Sequence, residues 1–159
     1  MQGRKLVAFG VFALAVTLAL MEGVALADQH SGTWKLNTAK TKYSPGPAPQ
    51  SMTLKVESDA TSYKLIADGV DGTGKSMHVE YSGKFDGKDY PSVGSPYGDT
   101  VSLKRIDANT VEVTNKKDGQ ATVTVTSVIS KDGKTRTSTF KGKSPEGHEV
   151  NNVAVYEKQ

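Results

Sequence analysis

Apolar and polar residues alternate strictly along most of this chain. In MTLKVES (Met52–Ser58), Met52, Leu54 and Val56 fall on one face and Thr53, Lys55 and Glu57 on the other. TVEVTNK (Thr110–Lys116) repeats the pattern, and ATVTVTSVIS (Ala121–Ser130) sets Val123, Val125 and Ile129 against Thr122, Thr124 and Thr126. SMHVEYSGKF (Ser76–Phe85) places Met77, Val79, Tyr81 and Phe85 opposite His78, Glu80 and Lys84. Side chains alternate across a strand, so a period of two sustained over many segments predicts antiparallel strands with one wet face.

The turns agree. Asp86-Gly87, Asp118-Gly119 and Asp132-Gly133 are hairpin signals, because glycine supplies the positive φ that tight β-turns need. Pattern and turns together predict ten strands, near 33–38, 51–58, 61–68, 75–85, 88–91, 99–106, 110–117, 120–130, 134–142 and 148–157. No amphipathic helical period longer than two turns follows residue 27. SPGPAPQ (Ser44–Gln50), with three prolines in alternate places, predicts an extended crossing loop.

A row of up-and-down strands must hide its edges, and closing into a barrel does so. The fold expectation is therefore all-β: an antiparallel up-and-down β-barrel of about 8–10 strands. An open two-sheet sandwich fits the same alternation. A transmembrane barrel is disfavoured, because its outer face needs an apolar band where this chain carries Lys, Glu and Thr.

The first residues read as an address. Arg4 and Lys5 precede a largely apolar run, Leu6–Leu20, and Ala25-Leu26-Ala27 has the small-x-small form of a cleavage site. The expectation is a signal peptide over 1–27, a single domain over 28–159, and a periplasmic or secreted protein with no membrane span after cleavage. Net charge is only +3 and the lysines are scattered among acids, which excludes nucleic acid as a natural partner. With no cysteine there is no disulfide, thiol catalysis or thiolate zinc site.

GTWKLN (Gly32–Asn37) resembles the opening strand of the calycin group, the lipocalins and fatty-acid-binding proteins. There a Gly-x-Trp motif, here Gly32-Thr33-Trp34, starts the barrel and its Trp closes one end. VAVYEKQ (Val153–Gln159) is similar to the C-terminal strand of fatty-acid-binding proteins. Residues 32–159 also resemble small exported bacterial proteins of uncharacterised function that share GTWKLN and NNVAVYEKQ. The resemblance implies a lipocalin-like barrel, with Gly32 and Trp34 as barrel-closing residues. Two departures stand out. Thr38–Gln50 is too short and proline-broken for the helical lid of fatty-acid-binding proteins. Ala154 occupies the place of their carboxylate-holding Arg, two residues before the last Tyr.

Candidate chemistry is sparse. Arg105 shares strand parity with Val101 and Leu103, and Arg136 with Phe140, so alternation aims both inward. An inward Arg needs a partner or a ligand anion, because an unpaired buried charge is costly. The other reading puts each at a strand end, reaching water or pairing with an acid. Tyr63, Tyr81, Phe85 and Tyr156 are candidate ligand-lining aromatics, although Val153 and Val155 argue that Tyr156 faces outward. His30, in the N-terminal tail, His78 and His148 form no metal cluster by spacing. DGVDGTG (Asp68–Gly74) lacks the spacing of a calcium loop and reads as a glycine-rich turn. No nucleophile elbow or phosphate loop is present, and no cofactor is expected. The functional expectation is an exported protein holding a small, mostly apolar ligand inside its barrel. Its walls are expected to be the Met77/Val79/Tyr81 and Val123/Val125 faces. The alternative is a solid-cored interaction domain acting through its surface loops.

Overall fold

The computed structural model describes residues 28–159; the segment read as a signal peptide, 1–27, lies outside them. Ten strands follow in chain order: β1 (Gly32–Leu36), β2 (Ser51–Ser58), β3 (Ser62–Val70), β4 (Ser76–Lys84), β5 (Asp89–Val93), β6 (Thr100–Asp107), β7 (Thr110–Lys117), β8 (Gln120–Ile129), β9 (Thr135–Lys143) and β10 (Glu149–Lys158). Each pairs antiparallel with its sequence neighbours, and β1 pairs with β10, giving a closed up-and-down barrel. This excludes the sandwich and is consistent with a calycin-like barrel. Among the described residues no helix is long and apolar enough to cross a membrane.

Alternation explains the core. The inward positions Met52, Leu54 and Val56 of β2, Tyr63, Leu65 and Ala67 of β3, and Val111 and Val113 of β7 are buried. Their outward neighbours keep Lys, Glu and Thr in water. The interior is not uniform, however. From β7 to β10 several inward positions are polar: Asn115, Ser127, Arg136, Ser138 and Asn152 are all buried. The apolar side of the barrel is built by β2 to β4 and β6, the polar side by β8 to β10.

The two ends differ. Residues 37–50, 71–75 and 94–99 form the mouth. The opposite end is covered by Asp28–Ser31, and there Trp34 is fully buried. Its indole Nε1–H donates to the His30 carbonyl at 2.9 Å. The Lys158 ammonium lies 5.0 Å from the Trp34 ring, a cation–π distance. Trp34 thus packs across the closed end, between the covering turn and the last strand.

Hairpin chemistry matches the sequence. Asp118 and Gly119 both take positive φ, 49° and 78°, as a two-residue primed turn requires. Barrel closure is narrow in three places, one of them β5–β6, which pairs only from Asp89 to Pro91. β1 pairs with β10 over three residues, Trp34 to Leu36. β4 pairs with β5 only at Glu80–Val93 and Tyr81–Ser92. Beyond β1 the chain keeps following β10, because Lys42 bridges Val153.

Candidate functional site

The barrel is not filled. A cavity of about 320 Å³ runs from the mouth into the interior. That is the lower end of the 300–1,000 Å³ typical of small-molecule sites. Its apolar wall includes Leu65, Met77 and Val79 on one side and Val113 and Val125 on the other. Val125 lines it as expected, whereas Val123 is fully buried in the strand packing and does not reach the cavity. At the mouth, the Tyr43, Phe140 and Tyr97 rings stand in series, with centroids 6.1 and 6.0 Å apart. Pro47 and Pro49 of the crossing loop also border the opening.

The deep part is polar. Arg136, Ser127, Ser138, Tyr81 and Tyr156 all border the cavity there. Arg136 is only 2% exposed and, among the described residues, has no salt bridge. Its Nη2 donates to the Tyr63 hydroxyl at 2.7 Å and to Ser127 Oγ at 3.0 Å. Its Nε approaches Ser138 Oγ at 3.4 Å, while Nη1 is buried without a hydrogen-bond partner. Neutral hydroxyls stabilise a guanidinium, but they do not cancel its charge. Burial pushes the Tyr81 phenol well above its ordinary pKa and raises that of Tyr156 to about 12. Both are therefore O–H groups at neutral pH. Arginine and two phenols supply donors, and among the described residues Asp71 near the mouth is the one carboxylate on the cavity wall.

The structure gathers the candidate residues into two groups. Tyr81, Arg136 and Tyr156 border the cavity. Tyr63, Phe85 and Arg105 lie at the closed end, below it. Tyr63 joins the groups, with its ring 6.3 Å from Tyr81, 6.1 Å from Phe85 and its hydroxyl on Arg136. Arg105 sits over the Phe85 ring at 4.6 Å and pairs with Asp28, so it takes the strand-end place beside an acid. Its Nη2 also donates to Ser58 Oγ at 2.9 Å and the Asp59 carbonyl at 3.0 Å. Gly32 pairs with Val56 in the first strand beside Trp34.

Tyr156 faces inward with Ala154 and Asn152, while Val153 and Val155 lie half-buried on the outer face. Residues 41–42 continue the β1 side of β10 by hydrogen bonds in the plane of the sheet: Lys42 N donates to the Val153 carbonyl and Val155 N to Thr41 Oγ1. Register places Tyr156 directly beside Arg136 on β9.

One residue escaped the sequence reading. His30 is not a free tail residue but fully buried, its ring edge-on to Tyr63 at 6.3 Å. No periodicity marks it, because it precedes the first strand. No known family matches the chain, and no curated protein does.

Proposed function

We propose that this protein is an exported, calycin-like barrel that holds one small amphipathic molecule. The apolar body lies between the Met77/Val79 and Val113/Val125 walls, and an anionic head meets Arg136. The observation that carries this reading is the buried Arg136, which borders an open apolar cavity and has no acid paired with it among the described residues. A guanidinium in such a place is costly unless an anion joins it. Tyr81 and Tyr156 add hydroxyl donors beside it, and an oxyanion accepts from several donors at once. The cavity's modest volume favours a short chain or a single ring system over a long lipid. The empty space also argues against a solid-cored domain that works only through its loops.

Calorimetry with octanoate and 1-octanol, two probes of one length and different heads, tests it. The expected result is one saturable site, tighter for octanoate, with Arg136→Met weakening octanoate at least about tenfold and leaving octanol nearly unchanged. Val79→Trp, which fills the cavity, should abolish both. No saturable binding of either probe sinks the cavity reading. Equal binding of both by wild type and Arg136→Met sinks the anionic head alone.

A further inference from the structure

The closed end contains a device that the binding reading does not use. Asp28–Ser31 forms one turn, held by Ser31 N donating to the Asp28 carbonyl at 3.0 Å and His30 N donating to Asp28 Oδ1 at 2.9 Å. Five external ties anchor it, one of them Ser58 N donating to Ser31 Oγ at 2.9 Å. Asp28 pairs with Arg105 of β6 and accepts from Ser58 Oγ of β2 at 3.0 Å. Ser31 Oγ donates to the Ser58 carbonyl at 3.0 Å, and the Trp34 indole donates to the His30 carbonyl at 2.9 Å. Peripheral contacts reach Gln29 from Asn109 at 3.3 Å and from Lys158 at 3.4 Å.

The His30 ring is what this turn pushes into the barrel. It is fully buried, and among the described residues neither ring nitrogen makes a hydrogen bond. Neutral imidazole always has one N–H donor and one acceptor nitrogen, so both go unsatisfied here. The ring therefore serves as an apolar stopper over Tyr63. The charged groups around it are Arg136 from β9, Arg105 from β6, Asp28 of its own turn, and Asp107 at the end of β6; the neutral Tyr63 comes from β3 and the Asn109 backbone from the β6–β7 turn. Asp28 is already engaged with Arg105, which leaves Arg136 as an unbalanced cation facing the ring.

We propose that His30 is an acid-sensitive latch: a proton taken from solvent onto its ring releases the Asp28–Ser31 turn and unseals the barrel beneath Tyr63 and Arg136. Two observations beyond the geometry agree. Burial first, then Arg136, hold the ring's pKa down to about 4 against an ordinary 6.5, with Asp28 opposing. An imidazolium needs two acceptors, and among the described residues the nearby Asn109 backbone carbonyl already accepts from Ile129 N. The turn can leave without disrupting the sheet, because its ties are side-chain and turn bonds and not ladder bonds. Trp34, the only tryptophan, loses its indole acceptor when the turn leaves.

The test uses the purified protein without ligand, titrated from pH 7.5 to 4. Trp34 emission and deuterium uptake at residues 28–34 are followed beside far-ultraviolet circular dichroism. The expected result is a red shift of emission. Exchange, corrected for intrinsic rates, should quicken about tenfold per pH unit lost between 6.5 and 4. The sheet signal should hold, and His30→Phe should stay flat over the same range. A flat wild type overturns the proposal, and so does the same transition in His30→Phe. Should that variant fail to fold, nitrogen-15 resonances of the wild-type histidines and the Trp34 indole decide. One shared midpoint for His30 and Trp34 supports the latch, and separate midpoints overturn it. Because no probe ligand is present, failure here leaves the binding reading untouched.

Discussion

Arg136 shows how one buried side chain sets two properties against each other. It is held by hydroxyls and not by an acid, so the folded state carries the desolvation of a full charge. Arg136→Met should therefore stabilise the protein by about 1 kcal/mol in urea unfolding, while weakening the anionic probe. His30 has an analogous tension with pH. Its folded pKa is depressed, so the unfolded chain binds more protons as pH falls. Stability is full above about 6.5 and declines towards 4, by at most roughly 3 kcal/mol, because release of the turn relieves the ring. Urea midpoints at pH 7 and pH 5 should differ for wild type and converge for His30→Phe. His78, exposed and beside Asp68, has a raised pKa and works in the opposite direction as pH rises. Parity alone aimed Arg136 inward. His30 was illegible because burial of a residue before the first strand depends on a turn that alternation does not encode.

At the level of elements, strand identity was almost wholly visible in the sequence, with each observed boundary within two residues of expectation. Local alternation and Asp-Gly turns are short-range signals, so they survive without knowledge of the fold. β10 shows the limit. Val153 and Val155 look like a core face, but they lie half-buried on the outer face, while Asn152, Ala154 and Tyr156 are the buried, inward positions. β9 carries a second feature that pattern could not supply. Gly142 lies at φ +140°, and a Cβ there would stand 2.1 Å from the Thr122 carbonyl oxygen. Contact and strain act together, so Gly142→Ala should cost about 1–3 kcal/mol, read as a lower urea midpoint with unchanged slope.

At the level of the whole molecule, closure is uneven. The β4–β5 seam is two residue pairs wide, against seven or more at each junction from β7 to β10. Native-state amide exchange should be slowest in β7–β9 and fastest along β5, since local opening follows the sparsest pairing. Uniform protection around the barrel would contradict this. The pairing of β1 with β10 also has a bearing on how the chain is made. Trp34 lies opposite Lys158, and Leu36 opposite Tyr156. A polypeptide that emerges from a ribosome or a translocation pore with its amino end first has β2 available to β1 early. The other flank of β1 must wait for residues 156–158. Until those arrive, the sheet has two free edges and the only tryptophan lacks the Lys158 side of its packing. Completion of the barrel is thus a timed event, set by delivery of the tenth strand, and the interval before it is when the nascent chain most needs shielding from its neighbours.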